Sequence, residues 1–158
     1  MSAIWKQFGD QTRAAVYYAM ETARANHLAQ VGPEELLQAI LSFDCDGRRA
    51  LEAEGIDLKK VSECLLREGD SHCTLDDLML SPLAKEATDI ALAEKSRASA
   101  LEVNTLMLTL GCLQCAAPRI KEAVERFGIS HDKLRQHLRR SESIERESFL
   151  KVLKKRIS

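Results

Sequence analysis

The feature that most constrains this chain is an internal duplication. The segment Val31–Leu41 returns in altered form as Val103–Leu113, at an offset of 72 residues. The same offset aligns Phe8 with Leu80, Thr12 with Ala84, Arg13 with Lys85, Ala15 with Ala87, Ala19 with Ala91 and Met20 with Leu92. Past one inserted residue the offset becomes 73, and it pairs Gly55-Ile56 with Gly128-Ile129, Val61 with Leu134 and Leu65 with Leu138. Because small and apolar residues recur at matched positions, the sequence predicts two copies of one structural unit.

The composition favours helices in both copies. Only 4% of the residues are aromatic, and the chain has 7 glycines and 3 prolines, a balance that favours helix over sheet. Apolar residues recur every three or four positions over 8–23, which is typical of a helix with one buried side. Pro33, Pro82 and Pro118 suit first helical positions, because a proline has no N–H to leave unpaired there. Helix caps are predicted at Asp10 or Gln11, Asp46, Asp57, Ser81, Asn104 or Thr105, and Ser130. Each half is therefore predicted to contain four helices, which makes the fold all-α.

Two motifs recur in the halves. The first half has the helix start Gly32-Pro33-Glu34-Glu35-Leu36-Leu37 and the later turn Leu51-Glu52-Ala53-Glu54-Gly55-Ile56-Asp57. The second half keeps the turn as Val124-Glu125-Arg126-Phe127-Gly128-Ile129 and has a divergent helix start, Asn104-Thr105-Leu106-Met107-Leu108. This double pattern resembles the Clp amino-terminal domain, the module at the front of Clp-type AAA+ unfoldases such as ClpA and ClpC. The resemblance covers about residues 5–138 and implies a pseudo-two-fold bundle of two four-helix Clp repeats.

The predicted boundaries follow from the duplication. Residues 1–138 form the double-repeat domain, with repeat one at about 5–68, a connector at 69–79 and repeat two at about 79–138. Residues 139–158 have no counterpart in the first half and carry 7 basic and 3 acidic side chains, against 8 and 12 in residues 1–72. Apolar residues in this segment are compatible with a ninth, amphipathic helix, and a mobile basic tail is the alternative. Those apolar residues are Ile144, Phe149, Val152 and Leu153.

The chain lacks a nucleotide-binding motif. None of its 7 glycines is followed by lysine, so it has no Gly-x-x-x-x-Gly-Lys-Ser/Thr loop for phosphates. We therefore expect no ATP hydrolysis, no enzymatic activity and no cofactor. The resemblance implies a protein-binding module of the Clp protease and unfoldase system, which docks an adaptor or recognises a substrate. Its partners would be a Clp ATPase, a Clp protease, adaptors or clients. The alternative within the family is an excised amino-terminal domain of a full-length unfoldase.

Other features favour a cytoplasmic protein that binds neither membrane nor nucleic acid. The five cysteines are irregularly spaced, which argues against a disulfide framework. No apolar run approaches the roughly 20 residues of a membrane span, and a secretion signal is absent. The basic residues of the last segment are Arg139, Arg140, Arg146, Lys151, Lys154, Lys155 and Arg156. Glutamates dilute these charges and stacking aromatics are scarce, so nucleic acid is not predicted.

Cys112 and Cys115 have the spacing of a metal or redox pair, and Cys45 lies in the matching loop of repeat one. Zinc requires four ligands, and the sequence has no second pair at a suitable spacing. Cys112 also falls on the apolar face of its helix. We therefore predict core packing for both cysteines and no metal. The alternative from another functional class is a small metal- or thiol-dependent protein that uses Cys112 and Cys115.

The resemblance also implies a ligand or partner site at Pro33, Glu34 and Glu35, with Thr105 at the matching position of repeat two. In ClpC-like members the glutamate of this motif takes part in binding phosphorylated arginine, once in each repeat. Glu34 matches that glutamate, whereas repeat two has Leu106, which cannot accept a hydrogen bond from a guanidinium. The alternative is that Glu34 and Glu35 only complement the dipole of their helix at an exposed end. We favour this alternative, together with a protein-docking groove beside the same helix start.

Overall fold

The structure is a computed structural model that describes residues 3–157, apart from the side chains of Ala3, Glu142, Ser143 and Glu145. The terminal residues 1, 2 and 158 of the predicted segments lie outside this range. The elements are α1 (Ala3–Lys6), α2 (Asp10–Ala25), β1 (Gln30–Val31), α3 (Pro33–Leu41), α4 (Asp46–Ala53), α5 (Leu58–Leu65), β2 (Met79–Leu80), α6 (Pro82–Arg97), α7 (Thr105–Gln114), α8 (Pro118–Phe127) and α9 (His131–Ile157). Helices dominate the described chain, which confirms the predicted all-α class.

The duplication is visible in the backbone. Within residues 3–157, the four residues with positive φ form two matched pairs. His27 (57°) and Ser99 (51°) follow α2 and α6 at an offset of 72, and Gly55 (74°) and Gly128 (65°) follow α4 and α8 at an offset of 73. Glycine adopts this left-handed conformation without a steric penalty and commonly ends helices. The helix ends therefore match between the repeats, which confirms the pseudo-two-fold bundle of two four-helix units.

The segment before the first helix of each repeat pairs with the segment before the second helix of the other repeat. β1 pairs in parallel with β2, and a parallel bridge joins Phe8 to Val103. The backbone N–H of Gly9 donates to the carbonyl of Val103 at 3.0 Å, and the N–H of Ser81 donates to the carbonyl of Val31 at 2.8 Å. The offset of 72 converts one of these hydrogen bonds into the other. Each repeat thus takes its backbone partner from the other repeat.

The core lies around the second helix of each repeat, α3 and α7, which contact each other. α2 packs along α3, α6 along α7, α4 against α7 and α5 against α8. Their largest fully buried side chains include Leu36, Leu37, Ile40, Leu106, Met107, Leu108 and Leu110. The contact between α6 and α7 is so close that a Cβ at Gly111 would collide with the carbonyl oxygen of Ala87. The core is thus shared between the repeats.

Local signals place most helix starts correctly. Four predicted caps accept a backbone N–H three residues on: Asp57 from Lys60 at 3.2 Å, Ser81 from Ala84 at 3.1 Å, Asn104 from Met107 at 2.8 Å and Ser130 from Lys133 at 3.3 Å. α2 and α4 begin one residue earlier than a cap at Asp10 or Asp46 requires, because Gly9 and Cys45 occupy the N-cap positions. The two aspartates therefore lie in the first turns, where their charge complements the helix dipole.

The basic C-terminal segment continues the last helix of repeat two. α9 runs from His131 to Ile157. Residues 139–157 are therefore helical, but they extend the fourth helix of repeat two and do not form a separate helix. No glycine or proline interrupts this stretch, and the chain has no local reason to end the helix at Leu138. None of the helices in residues 3–157 combines the length and apolar character needed to cross a lipid bilayer.

Candidate functional site

The predicted site residues at the start of α3 are buried. Pro33 is buried, Glu34 is 6% exposed and Glu35 is 0% exposed. The Oε1 atom of Glu35 accepts the backbone N–H of Gly32 at 2.7 Å, which satisfies one of the free donors at the helix start. The prediction that Glu34 and Glu35 lie at an exposed helix end is therefore wrong, because a side chain from the end of repeat one covers both carboxylates.

That side chain is Arg67, which follows α5. Its Nε donates to Glu35 Oε2 at 3.0 Å, and its Nη2 donates to Glu35 Oε1. The same Nε lies 3.5 Å from Glu34 Oε2. The hydrogen bond to Glu35 raises the pKa of Arg67 above its usual value. An internal guanidinium thus occupies the carboxylates that a guanidinium ligand would need. No local pattern points to Arg67, because it lies 32 residues from Glu35.

Thr105, the fourth predicted site residue, is held elsewhere. It opens α7, is 1% exposed, and its hydroxyl accepts the backbone N–H of Gly47 in α4 at 3.0 Å. Within residues 3–157, no hydrogen bond or ion pair joins Thr105 to Glu34 or Glu35. The structure therefore divides the predicted residues between two locations, and their contact with a partner stays a prediction.

Cys112 and Cys115 lie in the core at the end of α7, with exposed fractions of 0% and 1%. The Sγ of Cys115 donates to the carbonyl of Cys112 at 3.1 Å. Burial raises the pKa of Cys112 well above its ordinary value and also raises the pKa of Cys115. Buried thiols of this kind are poorly reactive, because the thiolate is the nucleophile and the metal ligand. In the described part of the chain, no three histidine, cysteine or acidic side chains are grouped as metal ligands. This geometry favours the packing role.

A cleft of about 830 Å³ opens where α2, α4 and α7 begin. Its walls are the first turn of α2 with Gly9, the first turns of α4 and α7, the loop 98–102 between α6 and α7, and two side chains of α9. Those two side chains are Arg146 and Phe149. Of the four predicted site residues, only Thr105 contributes to this lining. The volume lies in the range of protein ligand sites, about 300–1,000 Å³.

The cleft combines an apolar rim with acidic walls. Leu101 is 96% exposed and Phe149 is 63% exposed, so both can contact an incoming chain. Asp10, Asp46 and Glu102 supply three carboxylates, against the single guanidinium of Arg146. These side chains suit a polypeptide that presents apolar residues together with lysine or arginine, because both kinds of surface would find a complement.

A shallower groove of about 510 Å³ runs between α3 and α5. It begins at Gln38, one turn beyond Glu34, and includes Leu41, Leu58 and Leu66. Leu66 follows the last residue of α5 and is 50% exposed. This groove borders α3, the helix of the predicted docking position, and its lining contains none of the four predicted residues.

No protein-family model and no curated protein matches this sequence. Solved structures match most of the chain. The N-domain of ClpV from Vibrio cholerae has a TM-score of 0.74 at 19% identity and covers 89% of this chain and 87% of its own. The amino-terminal domain of the chaperone ClpD from Arabidopsis thaliana has a TM-score of 0.67 at 14% identity and covers 86% and 94%. A complex of a ClpV N-domain with a VipB peptide has a TM-score of 0.74 at 19% identity and covers 89% of each chain. This chain therefore has the fold of the Clp amino-terminal domain.

Proposed function

We propose that this chain is a protein-binding module of the Clp unfoldase and protease system, without ATPase activity of its own. It docks an adaptor or recognises a substrate. The observation that carries the proposal is the cleft with Leu101 and Phe149 exposed at its rim. In support, a ClpV N-domain with the same fold has been solved in complex with a VipB peptide.

The cleft is built from rigid parts, which favours binding. The hydrogen bond from Gly47 to Thr105 fixes the start of α4 against α7. The hydroxyl of Thr12 donates to the carbonyl of Val103 at 2.6 Å, which fixes the start of α2. Walls that are ordered before binding lose less conformational entropy when a partner arrives. Burial of Leu101 and Phe149 then contributes about 25 cal/mol for each Å² of apolar surface removed from water.

Groups that often serve in catalysis have other roles in this chain. Cys112 and Cys115 are buried thiols with raised pKa values, and Glu35 is bound by Arg67 and Gly32. We therefore expect no phosphate release when the purified protein is incubated with ATP and Mg²⁺. All five cysteines are unpaired, which fits the reducing cytoplasm that we propose as its compartment.

A displayed library of random peptides tests the binding function. Peptides that enrich on the wild-type protein should carry apolar and basic residues, and their synthetic forms should bind in calorimetry. The variant Leu101→Arg should weaken this binding at least tenfold, because it adds charge at the apolar rim of the cleft. The matched control is Leu66→Arg, which makes the same change in the groove between α3 and α5.

Three results would contradict the proposal. The first is a library that yields no specific peptide, and the second is selected peptides that bind Leu101→Arg as tightly as wild type. Loss of binding in Leu66→Arg alone would move the site to the groove between α3 and α5. Each outcome is separable from misfolding, because Leu101 and Leu66 are exposed and both variants should keep the helical circular dichroism spectrum of the wild type.

The same-family alternative is that this module is the excised front end of a full-length unfoldase. The matching solved structures are themselves amino-terminal domains. This observation supports the excised domain over a free-standing protein. The genomic reading frame decides it. Continuation past Ser158 into a Gly-x-x-x-x-Gly-Lys-Ser/Thr motif would establish the fragment.

A further inference from the structure

The end of α9 carries an apolar face that begins at the cleft and has no partner in the described chain. We call residues 146–157 the C-terminal arm. Phe149, Leu153 and Ile157 are spaced four residues apart, so they share one side of the helix. Their exposed fractions are 63%, 36% and 84%. Phe149 lines the cleft, so the face that Leu153 and Ile157 extend is continuous with the proposed binding site.

The arm is strongly basic. Its residues 146–157 contain five basic side chains and one acidic side chain, Glu147, and the last ten of them contain no acidic side chain. Helical spacing of about 100° per residue places Lys154 and Arg156 on opposite sides of the row from Leu153 to Ile157. Leu150, which is 54% exposed, widens the apolar face at its start. The arm therefore offers an apolar stripe with positive charge along its edges.

We infer that the C-terminal arm binds an acidic amphipathic helix that belongs to the same partner protein as the segment in the cleft. This inference rests on the proposed function. A helix is the expected partner, because apolar residues at four-residue spacing pack best against the ridges of another helix. Glutamate or aspartate beside the partner's apolar stripe would neutralise the basic edges of the arm.

A second copy of the arm does not fit this surface. Two arms packed face to face would bring Lys154 and Arg156 of one copy close to the same basic residues of the other, in either orientation. Like charges beside an apolar helix contact oppose association. Charge thus favours a different chain as the occupant.

The charges at the two ends of the site differ in sign, which specifies the partner further. The cleft supplies Asp10, Asp46 and Glu102, whereas the arm supplies basic residues. A partner that covers both should have basic residues in the part that enters the cleft and acidic residues in the part that follows the arm. The arm has 12 residues, so it can accompany a helix for about 18 Å at 1.5 Å per residue.

Two synthetic peptides of identical composition test this inference. Both form a helix with leucine at every third or fourth position. In the segregated peptide, lysines fill one half and glutamates the other half, and in the mixed peptide the same residues alternate. Fluorescence anisotropy with the full-length protein should show at least tenfold tighter binding of the segregated peptide. Added salt should weaken this binding, because exposed charges are screened.

Variants locate the contact. Leu153→Glu and the double variant Lys154→Glu/Arg156→Glu should each weaken binding of the segregated peptide at least tenfold. The matched control is Arg140→Glu, which reverses an exposed charge on the same helix before the arm. It should leave the affinity unchanged. Circular dichroism of each variant should match the wild type, which excludes loss of fold as the cause.

The outcomes separate this inference from the proposed function. If Leu101→Arg abolishes binding while the arm variants bind normally, the cleft is the site and the inference about the arm is overturned. If none of these variants changes the affinity, both are overturned. If the arm binds phosphatidylglycerol vesicles and does not distinguish the two peptides, its occupant is an anionic membrane, and the inference is again overturned.

Discussion

Replacement of Glu35 by glutamine should lower the free energy of unfolding by about 3 kcal/mol. The Glu35 carboxylate is 0% exposed and accepts hydrogen bonds from Gly32 and from two nitrogens of Arg67. Removal of one member of a buried ion pair costs about 3–5 kcal/mol, since the other charge loses its partner. We expect the lower end of this range, because the Arg67 side chain is 29% exposed and keeps Glu34 at 3.5 Å.

Thermal denaturation at neutral pH measures this effect. For a chain of this size, 1 kcal/mol shifts the melting temperature by about 2–4 °C, so Glu35→Gln should melt about 6–12 °C below wild type. The matched control Glu34→Gln should lose about 1 kcal/mol or less, because Glu34 makes only the longer contact to Arg67. In an Arg67→Met background, Glu35→Gln should cost only about 1 kcal/mol, the scale of a lost helix cap. An equal cost in both backgrounds would refute the ion-pair argument.

Three further predictions concern the other candidate residues and the fold. Titration of a phosphoarginine peptide into wild type and Glu34→Ala should give no saturable heat, because Arg67 already occupies the carboxylates; micromolar binding that the variant loses would contradict this. Cys112→Ala and Cys115→Ala should each lower the free energy of unfolding by about 1 kcal/mol and leave the zinc content unchanged by elemental analysis, whereas stoichiometric zinc lost in either variant would oppose core packing. A fragment of residues 1–69 should melt without a cooperative transition, because its backbone partners lie in the other repeat; a sharp transition would show that each repeat folds alone.

Local chemistry explains why much of the fold could be predicted from the sequence. Ser81 and Asn104 cap their helices with their own side chains, and Gly128 ends α8 in the left-handed conformation. These signals act over three or four residues, so they are visible in a single sequence. The duplication adds long-range information, because it requires the two halves to be equivalent. Two equivalent halves predict a pseudo-two-fold bundle.

The site could not be predicted in the same way. The contact between Arg67 and Glu35 joins residues 32 positions apart, and no periodic pattern relates them. The cleft brings together the starts of three helices, a loop and a side chain as distant as Phe149. Its position depends on how α9 packs against α7 and α4. The sequence could only identify the motif at Glu34. In the structure, Arg67 of the same chain contacts the carboxylates of Glu34 and Glu35.

The two repeats diverge at the positions that form the predicted site, and this divergence explains why the motif at Glu34 and the cleft differ. The duplication aligns Glu35 with Met107 and Arg67 with Arg140. In repeat one the chain must leave α5 and enter the connector, and this turn brings Arg67 onto Glu35. In repeat two the helix continues as α9 and keeps Arg140 exposed, while the buried Met107 contributes to the lining of the cleft. The duplicated position thus holds a buried carboxylate bound by an ion pair in one repeat and a buried apolar side chain beside the cleft in the other. This asymmetry is the reason why we propose binding at the cleft and not at the motif that the family resemblance highlights.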